Sequence, residues 1–85
     1  MMESYRILIK KSAAKEIERI EKKDRIHIIE KIRSLANDPY LPGSKKLSRQ
    51  EKFRIRQGND LILYQLIRNE LIVHLVKVGH RSKVY

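Results

Sequence analysis

Lys52-Phe53-Arg54-Ile55-Arg56-Gln57-Gly58-Asn59-Asp60-Leu61-Ile62-Leu63-Tyr64 is the stretch on which the fold turns. Its period is two. Phe53 and Ile55 fall on one side and Lys52, Arg54 and Arg56 on the other, the mark of a strand with one buried and one solvated face. Gly58-Asn59-Asp60 supplies turn chemistry, and Leu61 to Ile67 then reads as a second strand. Arg68-Asn69-Glu70 predicts a tight turn and Leu71 to Val78 a third strand. The last two strands are apolar on both faces, as central strands are. The second half is therefore a three-strand antiparallel meander whose first strand gathers three cations on one face.

Upstream, Asn37-Asp38-Pro39-Tyr40-Leu41-Pro42-Gly43-Ser44 reads as a loop, and before it the period is helical. Ala13, Ile17 and Ile20 make one apolar stripe with Ser12 as the expected N-cap. Lys22-Lys23-Asp24 is expected to break that helix. Ile28, Ile29, Ile32, Leu35 and Ala36 make a second stripe, capped at Asp24 and ending near Asn37. Tyr5-Arg6-Ile7-Leu8-Ile9-Lys10 alternates and predicts a short opening strand. The sum is an α+β chain of order β-α-α-β-β-β, with a helical hairpin on one face of a small antiparallel sheet. At 85 residues, one domain spanning 1–85 is the expectation.

The charge is uneven. The formal net charge is +10; residues 1–42 carry 10 basic and 7 acidic side chains, whereas residues 43–85 carry 10 and 3. A field of that sign attracts nucleic acid, anionic lipid or an acidic protein, and does not choose among them. With no Cys, disulfides, thiolate metal sites and a Cys nucleophile are excluded. The start lacks the layout of a signal peptide and the longest apolar stretch, Leu61 to Tyr64, is too short to span a bilayer, so a cytoplasmic chain without membrane contact is expected.

His27, His74 and His80 have no metal-ligand spacing, and Gly43, Gly58 and Gly79 stand apart rather than forming a phosphate-binding loop. Neither a metal nor a cofactor is expected. The tail Val78-Gly79-His80-Arg81-Ser82-Lys83-Val84-Tyr85 leaves a strand through a glycine and ends in groups that hold phosphate or move protons. A solvated basic terminus is the plainer interpretation, but Lys52, Arg54 and Arg56 share a strand face that an antiparallel sheet could bring near that tail. Few aromatics are expected at the surface, which argues against base stacking as the main device for holding nucleic acid.

The tail Gly79-His80-Arg81-x-x-Val84-Tyr85, the strand Phe53-Arg54-Ile55-Arg56-x-Gly58, Tyr64 and the Pro42-Gly43 to Leu47 loop together resemble the RelE/ParE superfamily of bacterial and archaeal toxins, closer to RelE. The resemblance runs over nearly the whole chain, and the element order agrees.

The resemblance implies a toxin of a type II toxin-antitoxin system that cuts mRNA on the ribosome and so inhibits translation, using a basic pocket without metal. It implies catalytic roles for Arg54, Arg56, Arg81 and Tyr85: the arginines hold the phosphate, and the tyrosine handles the ribose 2′-OH proton. Lys52, Lys45, Lys46, His80 and Lys83 would add RNA contacts, with His80 the alternative proton carrier. One position departs from the pattern, since RelE-type enzymes usually place an arginine where this chain has Leu61. The implied partners are an acidic RelB-like antitoxin, the ribosome with its mRNA, and operator DNA reached only through the antitoxin complex. Two other functions fit the same chain: a ParE-like inhibitor of DNA gyrase and a non-catalytic RNA-binding module.

Overall fold

The computed structural model describes residues 4–47 and 51–80. The element order is β1 (Arg6–Ile9), α1 (Lys11–Glu18), α2 (Lys22–Asn37), β2 (Lys45–Lys46), β3 (Lys52–Gln57), β4 (Asp60–Ile67) and β5 (Ile72–His80). A short 3-10 turn at Arg68–Glu70 joins β4 to β5. The five strands form one sheet in the order β1-β5-β4-β3-β2. Helices and sheet meet in one core, in which Ile17, Ile28, Ile32 and Leu35 of the helices close over Phe53, Ile55, Ile62, Tyr64, Leu66, Val73, Leu75 and Val78. The alternation in β3 therefore resolves as expected: Phe53 and Ile55 face the helices, and Lys52, Arg54 and Arg56 face away.

Five details depart from the sequence expectations. The sheet is not wholly antiparallel, because β1 runs parallel to β5 with Arg6 opposite Ile72 and Ile9 opposite Leu75. The helical hairpin carries the chain away from β1, and the last strand returns beside the first.

Ser12 does not cap α1. The Lys10 amide donates to the Leu75 carbonyl at 2.9 Å, and the Lys10 carbonyl accepts the Ala14 amide at 2.9 Å, so the helix starts where the β1–β5 ladder stops. Asp24 does not cap α2 either. Glu21 stands at the cap and Asp24 lies in the first turn, where its carboxylate faces the positive end of the helix dipole.

Two strand limits move as well. Lys45 and Lys46 form a two-residue edge strand within the expected loop. Leu71, expected in the third strand, adopts the left-handed region at φ 54, which closes the preceding turn and delays β5 to Ile72.

Candidate nucleic-acid interface

The open face of the sheet is built by register. Lys45 of β2 lies opposite Arg54 of β3, which lies opposite Leu63 of β4. Arg56 lies opposite Leu61, which in turn pairs with Gly79 of β5. Lys52 lies opposite Gln65, and Gln65 opposite His74. Paired residues share a face, so Lys45, Lys52, Arg54 and Arg56 form one cationic surface over Leu61 and Leu63. Residues two apart on a strand stand about 6.6 Å apart, which lets Arg54 and Arg56 bracket a single phosphodiester.

Arg56 is aimed by the turn that follows it. Its Nε donates to the Gly58 carbonyl at 2.9 Å, and Gly58 has φ 62, a conformation that glycine adopts without a Cβ penalty. Arg54 is half-buried, Arg56 is exposed, and Leu61 beside them is buried at 4% exposure. Nothing acidic interrupts this face among the paired residues named. It is a surface that can hold an anion and stabilise charge developing on it.

The other expected contacts divide. His80 pairs with Asp60, and Asp60 with Gln57, which puts all three on the helix side of the sheet, away from Arg54 and Arg56. There it lines a cavity of 240 Å³ together with Asp24, His27 and Gln57, and a neighbouring one of 420 Å³ with Glu16, Asp24 and Lys77. His80 therefore does not join Arg54 and Arg56 in one site. Lys46 lies opposite Phe53, on the helix side, and pairs with Glu51 at 3.3 Å. Arg81, Lys83 and Tyr85 lie outside the described residues.

A second cluster, at the β2 edge, has no counterpart among the sequence expectations. Glu51 binds Lys46 at 3.3 Å and Arg68 at 3.0 Å, and the Arg68 guanidinium sits 5.4 Å from the centre of the Tyr40 ring. Tyr40 meets Phe53 edge to face at 5.6 Å, and Phe53 stacks on Tyr64 at 5.6 Å. The Tyr64 hydroxyl donates to the Pro39 carbonyl at 2.8 Å. Burial raises the Tyr64 pKa above its ordinary 10.0; Asp38 and Tyr40 add to the rise, and a hydrogen bond with Ser44 opposes it. An aromatic residue between two loop prolines was the available signal.

Among the described residues, no group of three or more His, Asp or Glu is placed to hold a metal ion. No helix among them is long and apolar enough to cross a membrane.

Comparison with known proteins agrees with this architecture. A RelE-like toxin protein of Escherichia coli is 25% identical over 81 residues, covering 93% of this chain and 85% of that protein. A RelBE toxin-antitoxin complex from Mycobacterium tuberculosis superposes with a TM-score of 0.82 at 22% identity, over 98% of this chain and 98% of that one. The isolated E. coli RelE toxin gives 0.82 at 22% identity, over 96% of this chain and 92% of that one. The family described as "ParE toxin of type II toxin-antitoxin system, parDE" matches residues 7–85. This chain belongs to that RelE/ParE family of toxins.

Proposed function

We propose that this toxin is an endoribonuclease that cuts mRNA on the ribosome without a metal ion. The observation that carries the proposal is the register of Arg54 and Arg56 on the open sheet face, with Lys45 opposite Arg54. In the proposed cut, the ribose 2′-OH attacks the adjacent phosphorus and loses its proton. The bond to the 5′-oxygen breaks, leaving a 2′,3′-cyclic phosphate, and the departing 5′-oxygen gains a proton to become a 5′-OH. Negative charge grows on the phosphoryl oxygens, and fixed guanidinium donors aimed there lower the barrier.

Arginine stays protonated at a pKa above about 12, so Arg54 and Arg56 serve as charge stabilisers and not as proton carriers. The proton falls to the tail, with Tyr85 first. The location of His80 on the helix side weighs against its sharing the phosphate with Arg54 and Arg56. An acidic antitoxin related to RelB would be the physiological partner, its capture accelerated by the +10 charge.

Gyrase poisoning is the second reading, favoured by the ParE family match and by the absence of a cation at Leu61. Controlled expression in cells separates the two. Mapped mRNA 5′ ends should show in-frame cuts in translated messages; intact messages accompanied by DNA breaks would replace the nuclease with a gyrase poison.

A further inference from the structure

We propose that Tyr40 and Arg68 form a stacking site for an unpaired RNA base, separate from the Arg54 and Arg56 face and resting on the reading that this protein binds RNA. Tyr40 is 45% exposed, an unusual display for an aromatic in a chain with five of them. It is also held firmly. Its amide donates to Asp38 Oδ1 at 3.0 Å, closing a tight turn around the buried Pro39. Below it, the edge-to-face contact with Phe53 and the Phe53–Tyr64 stack tie the ring to the core.

The guanidinium of Arg68 stands beside the ring. It is ion-paired to Glu51 at 3.0 Å and stands 5.4 Å from the Tyr40 ring centre. An aromatic ring and a guanidinium plane are the two protein surfaces on which nucleobases stack, and here they are supplied together. Lys45 and Lys46 of β2 follow that loop and are exposed, so phosphates flanking the stacked base meet cations. Lys45 also lies opposite Arg54, which connects the stacking site to the phosphate-holding face. The contact contributes affinity and strand direction instead of chemistry.

The test uses the whole chain and two fluorescein-labelled probes: an adenine-bearing RNA hexamer and the same hexamer with every base removed. Binding is followed by fluorescence anisotropy at one fixed low salt concentration. Tyr40→Leu keeps an apolar side chain against Phe53, Tyr40→Phe keeps the ring, and Arg68→Lys keeps the charge while removing the plane. Thermal melting of each variant confirms that it is folded.

Tyr40→Leu should weaken the base-bearing hexamer by about tenfold, within the range of single aromatic stacking contacts, and leave the abasic one within about twofold. Tyr40→Phe should bind like the parent, and Arg68→Lys should fall between. Equal affinity of Tyr40→Leu and parent for the base-bearing hexamer would overturn the proposal, as would an equal loss on both probes or no binding by the parent. The nuclease reading is tested apart from it, by ribosomal mRNA cleavage. Cleavage with no effect of Tyr40→Leu on binding removes the stacking site alone; Tyr40-dependent binding without cleavage removes the nuclease alone.

Discussion

Leu61 lies directly opposite Arg56 across the β3–β4 ladder and is 4% exposed, with Gly79 on its other side. An arginine there would bury a guanidinium next to the exposed one of Arg56, at the cost of both desolvation and like-charge repulsion. In this chain, Leu61 is the apolar floor beneath the arginines. Leu61→Arg should therefore cost about 2–4 kcal/mol in urea unfolding, and Leu61→Met less than about 1.5 kcal/mol. Neither should raise RNA cleavage. A Leu61→Arg protein that unfolds at the parent urea concentration and cuts faster would mean that the position is a cation site left empty.

Tyr64→Phe removes the donor to the Pro39 carbonyl and should cost about 1–2 kcal/mol. For a domain of this size each kcal/mol lowers the thermal midpoint by about 4–8 °C. The pH dependence carries a separate signature. Because the folded pKa is raised above 10.0, mainly by burial, the neutral phenol is favoured in the fold. The contribution is complete below pH 10 and is lost as pH rises through the higher folded value. Above pH 10 the parent should lose stability faster than Tyr64→Phe; parallel curves would refute the raised pKa.

Glu16 joins α1 to the part of β5 that extends past β1. Its Oε1 accepts the Val78 amide at 3.2 Å, and its Oε2 lies 3.7 Å from Lys77 Nζ. Glu16→Ala should leave that amide without its acceptor, cost about 1–2 kcal/mol and speed hydrogen exchange at Val78. Glu16→Gln keeps an acceptor and should restore most of the protection. Unchanged exchange at Val78 in Glu16→Ala would show that the bond does not hold α1 to β5.

Salt dependence reports the arginines directly. Removing one arginine–phosphate ion pair should reduce the slope of log affinity against log salt for single-stranded RNA by about 0.7. Arg54→Ala and Arg56→Ala should each show this with little change in thermal midpoint, since both lie on the open face. Gly58→Ala should act on the same slope indirectly: its φ of 62 strains an alanine and shifts the carbonyl that aims Arg56. Slopes that match the parent in both arginine variants would mean that neither side chain meets a phosphate.

Periodicity made the cationic face legible. Phe53 and Ile55 had to be buried together, which put Arg54 and Arg56 together on the other side, and Leu61 was visible as a departure before its burial was known. What periodicity does not carry is partner choice among strands. The parallel pairing of β1 with β5 depends on where the hairpin returns the chain, and a two-residue edge strand at Lys45 and Lys46 is too short to have a period. His80 was expected beside Arg54 and Arg56 because the resemblance groups its tail neighbour Arg81 with them. One residue along a strand is enough to reverse a side chain, and pairing with Asp60 puts it on the helix side. Tyr40 was hidden for a different reason: a loop aromatic shows neither exposure nor a guanidinium partner until Arg68, 28 positions later, folds back over it.

In the proposed cut, Arg54 and Arg56 together stabilise the phosphate during mRNA cleavage. The direct measurement is single-turnover cleavage of a defined mRNA on programmed ribosomes, with parent protein and the Arg54→Ala/Arg56→Ala double variant, reading the cut ends and the rate. The parent should cut the ribosome-bound message and spare the same message free in solution, and the double variant should be slower by about 100-fold or more, of the order expected when fixed charge stabilisers are removed. A double variant that cuts at the parent rate, or a parent that leaves the bound message intact, would contradict the account.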